Sequence, residues 1–480
     1  MVRAQDATHN AAAQSRAGWG QRIFGRHFPL FPHSNRNIYY LHTVNKFMKS
    51  LICLLCWGTS LMLLSCSRNP ADNPTPPSPP PASPPSLSGS IYGSVGGVFR
   101  LDLATGHPYW YTRTYGFSGM APFVDSGSVY SCDVYGASAI DTVTGKILWS
   151  INYSSNFYRN NNYSYHCSPL VADSLLYTEG FTGSNGYVCL YGIHKTRGII
   201  VWQKLLSGPR TFFVSNIGQP KIIKDKIIVV GRDYDEKNQV FCFNRFTGNT
   251  LWIKDCTAER ITPSSYPQAD EGNVYISDIA NNNLYALDIN DGHTIWTSQL
   301  PMQQSSGYRP IVSDKYLIGF GATASPSSSS AVYFRVDKKN GAVVNIMPVN
   351  YYLSTLCADT NNIYVDGSGL LGCIPLASSS FKWQVTEQMK KAYDSLTKNG
   401  ILPSWEFAAD PVPINGYIIL YNTFQGNISN SCYYNNVDIY DKQSGKLVKS
   451  NGVNDCLYEY HGAMTVVQGK ATYYAPNGGL

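Results

Sequence analysis

The chain has little charge. Asp, Glu, Lys and Arg make up 14% of its 480 residues, against about a quarter in ordinary soluble domains. The charge it has is also unevenly placed. Seven of the 37 Lys/Arg and one of the 31 Asp/Glu lie in residues 1–65, which leaves 30 of each from Cys66 onward. The net charge of +6 therefore belongs to the leading segment, and a nucleic-acid partner is not expected. There is no G-x-S-x-G elbow, no H-E-x-x-H pair and no glycine loop opening a helix. The sequence signatures of those hydrolases, metalloproteases and phosphate binders are thus missing. The nine histidines are scattered, no two cysteines are adjacent, and no metal-type C-x-x-C follows Cys66. The apolar stretch 51–64 is shorter than the roughly 20 residues that span a bilayer.

What the chain does have is an eleven-residue pattern, Ala-x-Asp-x-x-x-Gly-x-x-x-Trp. It is complete as AIDTVTGKILW (Ala139, Asp141, Gly145, Trp149) and ALDINDGHTIW (Ala286, Asp288, Gly292, Trp296). Near copies are RLDLATGHPYW (Asp102, Gly106, Trp110) and CFNRFTGNTLW (Asn244, Gly248, Trp252), and GIHKTRGIIVW keeps Gly198 and Trp202. A period of roughly 40 to 50 residues marks a repeat architecture. Within each copy, alternating apolar residues flank a short polar turn, which predicts a β-hairpin. The Gly supplies a positive φ, and the Asp can accept backbone amides across the turn. The Trp is expected to wedge against a neighbouring sheet.

Further copies fall at Gly341 (Asn345 in the Trp place), Ser379 (Trp383) and Gly445 (Lys449), making eight outer hairpins. An inner strand pair precedes each of the last seven, and an eighth pair, 462–477, stands alone. Joining the two ends gives an all-β, eight-bladed propeller of four-stranded antiparallel blades, closed by C-terminal inner strands plus N-terminal outer strands. On these copies the chain resembles the pyrroloquinoline quinone (PQQ)-like repeat propellers over about 88–480. That superfamily contains quinoprotein dehydrogenases, which carry a vicinal Cys-Cys disulfide, calcium ligands and a catalytic Asp. None can be placed here: no two cysteines are adjacent, the calcium ligands have no motif to match, and the pattern's Asp residues occupy turn positions. No cofactor, no metal and no catalytic residue are expected, with PQQ plus calcium as the alternative.

The front of the chain reads as an address. MKSLICLLCWGTSLMLLSC (48–66) has a positive residue, an apolar core and a Leu-Leu-Ser-Cys ending, the form of a secretory signal. The ending resembles a bacterial lipobox, which implies lipidation at Cys66. Residues 1–47 precede the signal and are expected to be disordered, an extension ahead of a true start at Met48. Signal 48–65, Pro-rich spacer 66–87 and propeller 88–480 complete the organisation. A lipid-anchored protein of the bacterial envelope is implied, most readily at the outer membrane.

Nine cysteines follow Cys66. Those in strand positions, Cys189 and Cys242, read as small buried apolar residues, and Cys432 with Cys456 is a candidate disulfide. Loops that join blades hold aromatic and polar residues, including a Tyr-x-Tyr-His element that occurs twice. They suggest a binding rim of Tyr165, His166, Tyr308, Arg309, Trp405, Tyr460 and His461. Residues 385–400 read as a helical insertion. Lipobox, spacer and eight blades together are similar to the lipoprotein subunit of the outer-membrane β-barrel assembly machinery, which implies a scaffolding, protein-binding role. An envelope enzyme or ligand sensor working at the aromatic mouth is the alternative.

Overall fold

The computed structural model describes residues 87–94, 97–114, 121–133, 135–153, 169–182, 187–206, 220–232, 237–263, 266–278, 280–302, 310–322, 331–349, 355–367, 370–386, 411–425, 433–453, 464–468 and 471–474. Every regular element among them is a β-strand. Eight antiparallel sheets follow one another along the chain, as an eight-bladed propeller. We number the blades by sequence: blade 2 (123–152), blade 3 (170–205), blade 4 (221–255), blade 5 (268–299), blade 6 (311–349), blade 7 (355–385) and blade 8 (412–453).

Blade 1 closes the ring. Strands Ser90–Ser94, Val98–Asp102 and Pro108–Thr112 share a sheet with Met464–Gln468 and Ala471–Tyr474. The closing pair sets Ser90 opposite Val467 and Gly93 opposite Met464. The two chain ends meet as the repeat count requires. The composite sheet has five strands rather than four, because Ser90–Ser94 pairs both with Val98–Asp102 and with the C-terminal strand.

Strand position decides composition. The two middle strands of a blade are covered on both faces by neighbouring blades, so they are buried almost throughout, as in Asn273–Asp278 and Asn283–Asp288. Their near-continuous apolar runs follow from that double cover. Outer strands such as Ile147–Asn152 alternate between exposed and half-buried positions. Each blade pair shares its own apolar cluster. Ile228, Cys242, Trp252, Val274 and Ile276 fill the space between blades 4 and 5. Val412, Ile439, Ile91, Leu101 and Val466 fill that between blades 8 and 1.

Antiparallel order puts the first and third turns of every blade at one end of its strands, hereafter the turn face. In the remaining connections the adjoining strands begin or end on the opposite face. Tyr165, His166, Tyr308, Arg309, Trp405, Tyr460, His461 and Cys66 lie outside the described residues, as do Cys432, Cys456 and 387–400 of the expected helical insertion. Val385 itself ends an outer strand, Trp383–Val385.

Candidate functional site

The recurring pattern builds the junctions between blades. In the turn of blade 2, Asp141 accepts the backbone N–H of Val143 (3.1 Å) and of Thr144 (2.7 Å), and the Thr144 hydroxyl at 2.7 Å. Those amide and hydroxyl donors hold its carboxyl below the ordinary value, since they favour the charged form. Asn244 does the same with Phe246 and Thr247, and Asp102 and Asp441 with Thr105 and Ser444. The pattern's acids thus shape the turns.

The Gly and Trp meet across blades. Gly145, Gly198, Gly248, Gly292, Gly341 and Gly445 all have φ between +65° and +76°. A Cβ on any of them would lie 2.5 to 2.8 Å from the Trp ring of the preceding blade. Only glycine satisfies both conditions. The same Trp donates Nε1–H to a carbonyl in that turn: Trp110 to Thr142 (3.0 Å), Trp149 to Lys195 (2.8 Å), Trp202 to Arg245 (2.9 Å). Trp252 reaches Ile289 (3.0 Å), Trp296 reaches Lys338 (2.9 Å) and Trp383 reaches Lys442 (3.1 Å).

A register shift aims the ring. The outer hairpin skips one residue beside the position opposite Trp, for example between Ala139 and Ile140. That irregularity turns Trp toward the next blade and leaves the residue before it outside. Tyr109, Leu148, Val201, Leu251, Ile295, Val344 and Val448 are accordingly exposed. Arg100 stands opposite Trp110, but opposite the other five Trp stand Ala139, Gly192, Cys242, Ala286 and Cys373. These are small because the ring lies across them: a Cβ on Gly192 would sit 2.4 Å from the Trp202 ring.

Two further partners at the junction escaped the sequence reading. A Tyr on the second strand packs against the Trp, as in Tyr275–Trp296 (6.1 Å) and Tyr364–Trp383 (6.4 Å). The residue after the position of the turn Asp (His194 in blade 3, Asn244 in blade 4) is often basic and reaches back to an Asp in the first turn of the preceding blade. Lys195 pairs with Asp125 (2.5 Å), Lys338 with Asp270 (2.8 Å), Lys442 with Asp359 (2.5 Å) and Arg245 with Asp173. Tyr275 and Tyr364 donate to Asp270 (2.8 Å) and Asp359 (2.9 Å). Burial works against ionisation of Asp270, but the Lys338 ammonium and the Tyr275 hydroxyl outweigh it and hold the carboxyl low. The signal was a Lys or Arg recurring one place after the turn Asp.

On the opposite face, glycines near the ends of second strands receive a residue that follows the previous outer strand. Tyr153 covers Gly180, Leu206 covers Gly231 and Met302 covers Gly321. Two buried carboxyls lie at matching positions of blades 3 and 7. Burial raises Glu179 well above the carboxylate range and pushes Asp366 up to about 7. The six described cysteines, Cys189 and Cys242 among them, are buried. Burial lifts the Cys132 thiol to about 12.

Among the described residues, one group has metal-ligand spacing: Asp288, Asp291 and His293 on the blade 5 turn. It is solvent-facing, and the His293 ring and Asp291 are already hydrogen-bonded at 2.6 Å. Nothing beyond this exposed acidic turn marks it as a metal site.

Fold and junctions define an eight-bladed propeller of PQQ-like repeats. A family model described as outer membrane protein assembly factor BamB matches residues 94–233 and 218–388, and the chain belongs to that family. It is similar to tetrathionate hydrolase of Acidithiobacillus ferrooxidans, 20% identical over 222 residues. That match covers 44% of this chain and spans 42% of the relative's length. Among solved structures, BamB from Moraxella catarrhalis is 16% identical, covering 70% of this chain and 89% of that one with a TM-score of 0.46. Dihydro-heme d1 dehydrogenase NirN, in complex with DHE, is 12% identical, covering 78% and 75% with a TM-score of 0.52. At that identity the likeness is one of fold alone.

Proposed function

We propose that this chain is a lipid-anchored scaffold of the bacterial envelope whose propeller binds a protein partner during outer-membrane protein assembly. The family match over 94–388 is the observation that carries this reading. The junction chemistry agrees with it, because the most conspicuous polar residues are occupied in holding blades together. In this reading residues 1–47 are not part of the working protein, and 48–65 are the signal. Cys66 carries the lipid, 66–87 space the propeller from the bilayer, and 88–480 form the binding module. A diacyl or triacyl anchor gives lasting attachment where a single chain would bind only marginally.

The test is affinity purification of the anchored protein from detergent-solubilised envelopes. Enrichment of an outer-membrane barrel protein is expected, and repeated recovery without one sinks the assembly role. Replacing Cys66 by Ser should abolish incorporation of labelled palmitate. His166 and His461 are proposed to sit on the binding rim, so replacing both should weaken partner recovery.

The similarity to tetrathionate hydrolase favours one second reading, an envelope enzyme acting on a small substrate. Turnover of tetrathionate by the purified protein, or dye-linked dehydrogenase activity after addition of PQQ and calcium, would support it.

A further inference from the structure

Two of the eight junctions depart from the rule. Between blades 6 and 7, Asn345 stands where Trp would be and Ser379 stands where the receiving Gly would be. Donor and acceptor of the latch are missing together. In their place Arg335, the cross-strand partner of Asn345, donates to the carbonyls of Pro375 (3.2 Å) and Ser378 in the blade 7 turn. Its Nε donates to the Tyr333 hydroxyl at 2.8 Å. The Asn345 Nδ2 is buried with no acceptor among the described residues. Between blades 8 and 1, Lys449 occupies the Trp place and donates to the Ala104 carbonyl from an exposed position. The basic residue after the turn is missing at both seams, where Leu376 and Leu103 stand, as it also is at two latched junctions, where Thr142 and Ile289 stand.

The junction enclosed by these seams is fully built. Trp383 lies against Gly445 and reaches Lys442, Lys442 pairs with Asp359, and Tyr364 completes the circuit. Trp–Gly latches also run unbroken from blade 1 to blade 6. We infer that the ring consists of two mechanical units, a latched six-blade arc and a latched pair formed by blades 7 and 8. The pair opens at its outer edge about the two seams.

The seams are not loose inside. Apolar clusters join blades 6 and 7 through Tyr333, Leu356 and Ile363, and blades 8 and 1 through Ile439, Leu101 and Val466. Apolar burial is non-directional and tolerates a small rotation. A ring trapped over a glycine with its N–H bonded does not, because close-packed contacts resist sliding. The inner halves of the seams therefore act as pivots, and their outer halves, held by the Arg335 and Lys449 hydrogen bonds rather than by a trapped ring, part more readily than a latched junction.

Amide hydrogen exchange on the full-length protein tests this, since it resolves openings smaller than global unfolding. Outer strands Val343–Val349 and Leu447–Val453, whose wedges lack Trp, should exchange about tenfold faster than Ile147–Asn152, Thr250–Asp255 and Thr294–Gln299. Equal rates across these strands would overturn the inference. The triple change Arg335→Ala, Asn345→Trp and Ser379→Gly installs the missing latch. It should slow Val343–Val349 to the rate of the latched strands and leave Leu447–Val453 fast. Failure to slow in a folded variant also rejects the inference. If that variant does not fold, Ile439→Ala with Lys449→Trp, read at Leu447–Val453, makes the same test at the other seam.

Discussion

The latch between Trp202 and Gly248 can be broken from either side, and the two breaks should not add. Trp202 is 8% exposed, so Trp202→Ala removes a buried aromatic, a change that costs about 3–5 kcal/mol. It also strands the Arg245 carbonyl, for about 1 kcal/mol more. Gly248→Ala acts through two terms. A left-handed φ of +70° costs a Cβ-bearing residue about 1–2 kcal/mol. The new methyl would lie 2.8 Å from the Trp202 ring, and overpacking of that kind adds about 1–3 kcal/mol. In a Trp202→Ala background the ring is gone and only the backbone term remains. The double variant should therefore be about 1–3 kcal/mol more stable than the sum of the singles predicts. Urea denaturation of the four proteins, followed by far-ultraviolet circular dichroism at a shared m-value, measures the cycle. Additivity within about 0.5 kcal/mol would refute the steric account of the glycine.

Asp366 is neutral in the folded protein up to about pH 7 and ionises near 4 when unfolded. Its contribution is complete below pH 4 and is lost as pH rises through 7, so Asp366→Asn should gain stability across that window, by up to about 4 kcal/mol. Denaturation midpoints of both proteins at pH 4 and pH 8 check this, and an equal difference at both would contradict it. Asp270 has the opposite sign. Its carboxyl is held low, so its stabilisation is present above pH 4 and fades as pH falls further. In Lys338→Met that acid sensitivity should move to higher pH. Asp141→Ala should lower the melting temperature slightly, because it removes the acceptor that the Val143 and Thr144 amides share in the turn. The thiols of Cys132, Cys242 and Cys256, all buried, should resist maleimide in the native protein and react once it is denatured, with sites mapped by peptide mass.

The fold was legible because a repeat writes its turns eight times. Gly145, Gly248 and Gly292 stand out by position, and the spacing to Trp149, Trp252 and Trp296 is fixed by the hairpin. That the Trp wedges against a neighbouring sheet was legible, but the turn that receives it was not. That choice depends on a one-residue register shift that no single copy advertises. The Lys338–Asp270 and Lys442–Asp359 pairs were also hidden, because their members sit in adjacent repeats about 70 to 80 residues apart and four junctions carry something else. The fifth strand of blade 1 was missed because Ser90–Ser94 is a short segment that contains Gly93 and is soon followed by Gly96 and Gly97. The proposed rim rests on loop residues that no repeat constrains, so sequence pattern alone could group them but not place them.

Ring closure sets an order of events. Strand Ser90–Ser94 is among the first parts of the propeller to be made, yet one of its two edges stays unpaired until Met464–Gln468 arrives more than 350 residues later. A chain interrupted before that point carries an open edge and cannot form a finished first blade. Whatever shields that edge would have to persist until the final strands emerge. Native assembly is therefore gated by the end of chain synthesis rather than by its beginning.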